Sequence, residues 1–282
     1  MRRIACLIVM LVLTASRSSA PTAPPTPPFK LTGEEEQKVD RLLARWEQWN
    51  AGLKTFDCRF KRWTYDTVFG RPDEAAFVEL GTIKYAAPDH GLFRVDTADE
   101  NGKEVAIEPR RAEHWAFDGK SVFEVNSVKR QVIEHRRPRE LQGSRLVDGP
   151  LSFLFPIGQL YCLTDAAEPN HPPIPFGAKA RDIKRQYYLR TITPADRRQD
   201  EIWLEAYPRS SGFACWYQKF QLKLIFSAKD MSPVAIQIVQ PCGRGDYAVY
   251  RFYDISLNAL PTPPGDDPFH PAVPYGWQKI VE

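Results

Sequence analysis

The residue types that could carry chemistry are few and widely spaced in this sequence. The five histidines share no metal-ligand or triad spacing; His90 falls in a turn, and His171 and His270 stand beside prolines, so all read as surface residues. Serine-hydrolase, metalloprotease, P-loop and dinucleotide-binding patterns are all missing. Glu201 and Glu205 share a strand parity and could be posed as an acid–base pair. Four residues of extended chain separate them by roughly 13 Å, beyond the about 5 to 9.5 Å that glycosidic cleavage uses. They read as solvent-facing. Asp118 before Gly119 is a turn residue that tolerates the backbone reversal, not a catalytic acid. After an N-terminal leader four cysteines remain, Cys58, Cys162, Cys215 and Cys242, none in a CxxC spacing. An oxidising compartment would let them pair in three ways, while Cys58, alternating with Phe56 and Phe60, reads equally as a small buried hydrophobe. No catalytic residue, metal site or cofactor is expected.

What remains is the chemistry of burial. Aromatic residues make up 12% of the chain and most fall on runs with period-two alternation. Two accounts stay open for them: they fill an ordinary sandwich core, or a curved sheet encloses a water-poor cavity large enough for acyl chains. Each enclosed CH₂ group contributes about 0.8 kcal/mol. Strand parity selects Phe60, Tyr85, Phe93, Val95, Trp115, Phe123, Leu222, Leu224 and Ile236 as the lining.

The elements that must position these residues are mostly strands. From Gly81 to Asn126, turns at Pro88-Asp89-His90-Gly91 and Asp118-Gly119 interrupt alternating runs, which is hairpin chemistry. Ile83 and Tyr85, then Phe93 and Val95, carry bulk on one parity, and Trp115 and Phe117 are expected to continue onto Phe123 and Val125. Further strands are expected over 129–137, 185–193, 201–207, 217–227, 233–241 and 247–257, for roughly ten or eleven in all, more than an open twisted sheet carries without curling. In the strand after Thr55 the bulky parity changes from Phe56, Cys58 and Phe60 to Trp63, Tyr65 and Phe69, which a bulge near Lys61 or Arg62 would explain. One long helix is expected: Thr32 and Glu35 form a capping box, and Val39, Leu42, Leu43, Trp46, Trp49 and Leu53 recur at spacings of three and four. Its Leu42, Trp46 and Trp49 face would plug the sheet. A second, short helix suits the apolar run over 149–155.

The remaining segments give an address. Arg2 and Arg3, the apolar run Ile4 to Leu13 and the small residues to Ala20 make a cleavable secretory signal over 1–20. A proline-rich spacer follows over 21–31, then one domain over 32–282, with an inserted loop over about 156–176 and a proline-rich tail over 259–282 pinned by Phe269 and Trp277. The mature chain is expected to be periplasmic or otherwise exported, and monomeric. A formal charge of +3 in 282 residues is too small for a dedicated nucleic-acid binder.

The order of these parts resembles the LolA/LolB superfamily of lipoprotein carriers. The resemblance rests on the aromatic helix ending in GLKTFDCRFKR, the ELGTIKYAAPDHGLFRVD hairpin, the FDGKSVFEVN hairpin, the PLSFLF segment and the VYRFYDISLN strand, and it covers most of residues 33–258. Asp118-Gly119-Lys120, Gly149 to Phe155 and Trp203 to Pro208 are most similar to an uncharacterised planctomycete-type branch. The resemblance implies an α+β fold that is mainly β: a single curved antiparallel sheet, an unclosed barrel plugged by helices. It also implies an acyl or lipoprotein ligand and envelope transport proteins as partners. Where LolA has an arginine before the proline of the strand turn, this chain has Ala87. Two alternatives stand beside the carrier: an envelope scaffold with no ligand, and, last, a hydrolase with a dispersed site.

Overall fold

The computed structural model describes residues 27–66, 70–71, 74–136, 139, 142, 180–195, 198–209, 222–239, 246–259 and 267–282. The leader, the 149–155 segment, the 156–176 loop, Cys162, Cys215 and Cys242 lie outside the described residues.

Helix α1 (Gly33–Ala51) forms where the capping box places it. Thr32 Oγ1 accepts from the Glu35 N–H, and the Glu35 carboxylate accepts from the Thr32 N–H at 2.7 Å, so two orphan donors are satisfied reciprocally. Those bonds hold the Glu35 carboxyl below its ordinary range. Glu34 and Glu36 add negative charge at the positive end of the helix dipole.

The strands are β1 (Thr55–Tyr65), β2 (Phe77–Ala86), β3 (His90–Glu100), β4 (Lys103–Ala106), β5 (His114–Asp118), β6 (Ser121–Asn126), β7 (Gln131–Arg136), β8 (Tyr187–Ile192), β9 (Glu201–Pro208), β10 (Leu222–Ser227), β11 (Pro233–Val239), β12 (Tyr247–Leu257) and β13 (Gln278–Val281). They join in one sheet ordered β13-β7-β6-β5-β3-β2-β1-β12-β11-β10-β9-β8, with β4 beside β3. Every pairing is antiparallel except β13 on β7. The two ends of the order do not meet, so the sheet is unclosed, mainly β, with an N-terminal helix.

Two strands, β4 and β13, are too short to show a period in the sequence. A short helix, α2 (Ala180–Gln186), occupies the start of the stretch expected to be the strand 185–193. Its first N–H, on Ala180, donates to the Glu47 carboxylate of α1, a partner 133 positions away that no local pattern discloses.

The bulge expected near Lys61 or Arg62 is absent from β1. Its residues alternate without a break against β2, from Thr55 opposite Ala86 to Thr64 opposite Phe77. The inward slot after Phe60 is taken by Arg62, a charged residue, and the apparent change of parity follows from that. Register shifts occur elsewhere, between Asp57 and Arg59 against β12 and between Leu80 and Gly81 against β3.

Candidate ligand-binding face

The face that α1 covers, here the inner face, is built from every second residue of the strands. Phe56, Cys58 and Phe60 of β1, Ile83 and Tyr85 of β2, Phe93 and Val95 of β3, Trp115 and Phe117 of β5, Leu224 and Phe226 of β10, Ile236 of β11 and Tyr250 and Phe252 of β12 form one buried cluster with Val39, Leu42 and Leu43 of α1. Trp46 and Trp49 pack against it, and the Trp46 ring tilts on Phe226 with centroids 5.3 Å apart. Cys58 within it is a buried free thiol whose pKa burial pushes up.

Phe60, Tyr85, Phe93, Val95, Trp115, Leu224, Ile236 and Leu42, chosen by parity, thus meet in one cluster. Leu222 holds a register position opposite Ile238 and Ala206 on the same face. Phe123 does not join them. The turn between β5 and β6 has two residues, Gly119 and Lys120, so Trp115 opposes Glu124 and Phe117 opposes Val122. Phe123 opposes Ala116 and faces outward, buried in a second cluster with Leu92 and Val132 against Phe269 and Trp277 of the tail. A two-residue loop pairs odd with even positions; bulk at Trp115 and Phe123 could share a face only across an odd loop.

The inner face is not apolar throughout. Arg62 donates through Nε to Glu79 at 2.6 Å and through Nη1 to the Tyr250 hydroxyl at 3.3 Å, and its Nη2 lies 2.7 Å from Glu113. Arg111 Nε donates to the other Glu79 oxygen at 3.0 Å. Burial works against the Arg62 charge, but Tyr250, Glu113 and Glu79 outweigh it and raise its pKa further. Burial likewise raises the Tyr250 hydroxyl. This network of two arginines and two glutamates interrupts the greasy surface towards one end of β1. Nothing in the alternation signalled it, because an inward arginine is legible only once its carboxylate partners, on β2 and before β5, are seen together.

A hollow of about 390 Å³ opens beyond this network between the 109–115 segment and the end of β6, lined by Arg110, Glu113, Trp115, Glu124 and Asn126 among others. Its walls are too polar for an acyl chain. His114, also on its wall, has its pKa lowered to about 4 by burial and by Arg94, so its ring is neutral at ordinary pH.

Glu201 and Glu205 are buried rather than solvent-facing. Both lie on the outer face, where Arg190 Nε donates to Glu205 at 2.5 Å and Trp203 Nε1 donates to Glu201 at 3.0 Å. Phe29 covers this patch, edge-on to Tyr207 and under the Arg190 guanidinium. Glu205 thus belongs to a cross-strand ion pair, and Glu201 accepts from a neighbour on its own strand. Among the described residues no three His, Cys, Asp or Glu side chains gather as a metal site, and no helix is long and apolar enough to cross a membrane.

No family model matches the sequence, and no curated protein does. Solved structures do resemble it. An uncharacterised conserved protein from Thermus thermophilus is 12% identical, covers 87% of this chain and 100% of its own, and superposes with a TM-score of 0.45. A LolA superfamily protein from Nitrosomonas europaea is 11% identical over 79% of this chain and 94% of its own, with a TM-score of 0.32. The lipoprotein LppX of Mycobacterium tuberculosis is 8% identical over 80% of this chain and 98% of its own, with a TM-score of 0.38. At these identities and TM-scores the likenesses carry no argument about what this chain does.

Proposed function

We propose that this protein is an exported carrier or binding protein for lipid-like ligands, acting without chemistry of its own, and that an acyl chain of a lipid or lipoprotein packs between α1 and the inner face. The lining in this reading is Phe60, Tyr85, Phe93, Val95, Trp115, Leu224 and Ile236, with Leu42, Trp46 and Trp49 as the plug. The observation that carries it is how α1 is held. Its grip on the sheet is an apolar stripe of Val39, Leu42, Leu43 and Trp46. Its polar ties are few: Arg45 to the Ala228 carbonyl at 3.0 Å, the exposed pair Asp40 and Lys184 at 2.6 Å, and the Glu47 carboxylate, which accepts from the Ala180 N–H at 3.1 Å. Exposed pairs contribute about 0–1 kcal/mol. A hydrocarbon chain replaces the apolar contact almost in kind, so the helix can yield to a guest at little net cost. The secretory pattern read over residues 1–20 supports an envelope location, where such ligands and transport partners are found.

A second reading is favoured by one observation: the inner-face side chains bury one another, with Phe60, Leu43 and Ile236 at 0% exposure. On that reading the protein is an envelope scaffold with a self-filled core. Native mass spectrometry of the protein purified from its own envelope separates the two. A co-purifying mass in the acyl-lipid range supports the carrier. A bare polypeptide mass, together with no uptake of added fatty amphiphiles, leaves the scaffold.

A further inference from the structure

Two side chains on the inner face of α1 carry polar atoms with no partner among the described residues. Asn50 is 7% exposed, and neither its Oδ1 nor its Nδ2 is hydrogen-bonded; Trp46 Nε1, one helical turn earlier, is buried and unpaired as well. Residues at i and i+4 stand on one helix face with Cβ atoms about 5–6 Å apart. The two residues therefore share the face of α1 that carries the apolar stripe. Each unsatisfied buried group costs about 1–3 kcal/mol, and a leucine at either place would avoid that cost. Native interiors rarely leave such groups orphaned, so each asks for a physical explanation.

We infer that Trp46 and Asn50 form a polar anchor for the head of the acyl ligand, and that the head it selects is an amide bearing an N–H. This rests on the acyl-binding reading above. The indole presents one donor, and the asparagine presents two donors and one acceptor. Hydrocarbon satisfies none of these. An ester carbonyl satisfies donors but leaves Asn50 Oδ1 orphaned. A primary amide, whose carbonyl and syn N–H point the same way, offers its carbonyl to the Trp46 and Asn50 N–H groups and its own N–H to Asn50 Oδ1, a pairing that a trans secondary amide cannot make. The acyl chain attached to it then runs along the stripe towards Leu42 and Leu43.

The test uses the full-length protein and displacement of the fluorescent probe N-phenyl-1-naphthylamine by dodecanamide and by methyl dodecanoate, which share one chain length. The amide is the more strongly hydrated of the two, so partitioning into grease alone favours the ester. The anchor reverses that order, with the amide displacing at about tenfold lower concentration. Asn50→Leu removes an orphan amide from the core, so it should fold with an unchanged or higher melting temperature while the amide preference disappears. Trp46→Phe should halve the preference on a logarithmic scale and, by deleting one indole N–H signal, identify the resonance that the amide shifts in wild type. An ester preference in wild type, or an amide preference that survives Asn50→Leu, overturns the anchor and leaves acyl binding standing. If neither the probe nor the dodecanoyl compounds bind, acyl binding falls and the anchor with it.

Discussion

Phe60 of β1 and Phe93 of β3 stack with ring centroids 5.1 Å apart and planes 12° from parallel, although β2 runs between their strands. The gap is bridged at Gly81, which faces Phe60 on one side and Val95 on the other. A Cβ built on Gly81 would fall 2.3 Å from Phe60 Cζ and 2.2 Å from the Arg94 carbonyl oxygen. The missing side chain is what lets two aromatic rings share the centre of the inner face.

Gly81→Ala therefore runs against the usual sign. In an ordinary strand the exchange is worth about 0.5–1 kcal/mol in favour of alanine. Here overpacking against a backbone carbonyl should cost about 2–3 kcal/mol, read as a lower midpoint in denaturant unfolding. An unchanged or higher midpoint would mean that the Phe60–Phe93 stack is not held as described.

Arg62→Ala should be among the most damaging single changes, at about 3–5 kcal/mol, because Glu79 is left buried with one cation fewer. Glu113 loses its partner in the same step. Arg62→Met combined with Glu79→Leu should cost less than the two single changes summed, since neither partner is then left facing the other's vacated place, although Arg111 and Glu113 each lose a partner. Additive losses in the double variant, measured by urea unfolding, would show that the two side chains are not coupled.

His114 has a folded pKa of about 4 against an ordinary 6.5. The unfolded chain therefore takes up the proton first as pH falls. The stability this residue contributes is complete above pH 6.5 and disappears on the way down to 4, by as much as about 3 kcal/mol. His114→Gln should flatten the stability profile across that window. A titration of the His114 ring by NMR with a midpoint near 6.5 would contradict the assignment.

The tail is strapped across the outer face by carboxylates. Asp118 sits 3.2 Å from His270 Nδ1, and Glu134 sits 2.8 Å from Lys279 and accepts from the Ser121 hydroxyl. Burial pushes the Asp118 carboxyl up, but the backbone N–H groups of Lys120 and Ser121 and the His270 ring outweigh it and hold it below its ordinary 3.8. Lys279 leads in holding Glu134 below its ordinary 4.5. Both depressed values stabilise the strap above the unfolded pKa, and that share is lost as pH falls through the folded one. Hydrogen-exchange protection of β13 should drop below about pH 4 while that of β1 persists, and Asp118→Ala should lower protection around Phe269 and His270 even at neutral pH.

The hairpin at Pro88 and the hairpin at Gly119 show how far the chain alone could be read. Both are announced by turn residues and alternating bulk, and α1 is announced by its capping box, because these signals are local and each depends on a few neighbouring side chains. The β2–β3 loop spans three residues, Ala87 to Asp89, so odd positions oppose odd ones and Ile83 and Phe93 share the inner face. The β5–β6 turn spans two, and the same extrapolation sent Phe123 to the wrong side. Val122 and Phe123 are both apolar, so composition does not choose between faces; only the residue count of the folded turn does. Arg62 inside, Glu201 and Glu205 buried, and β13 pairing with β7 were likewise beyond reading. Each depends on a partner supplied by another segment, and a charge or a short edge strand acquires its place only when that partner arrives. The periodicity thus determined which elements form, while the tertiary structure decided which of two bulky faces is covered and which buried polar groups, Trp46 and Asn50 among them, remain without a partner among the described residues.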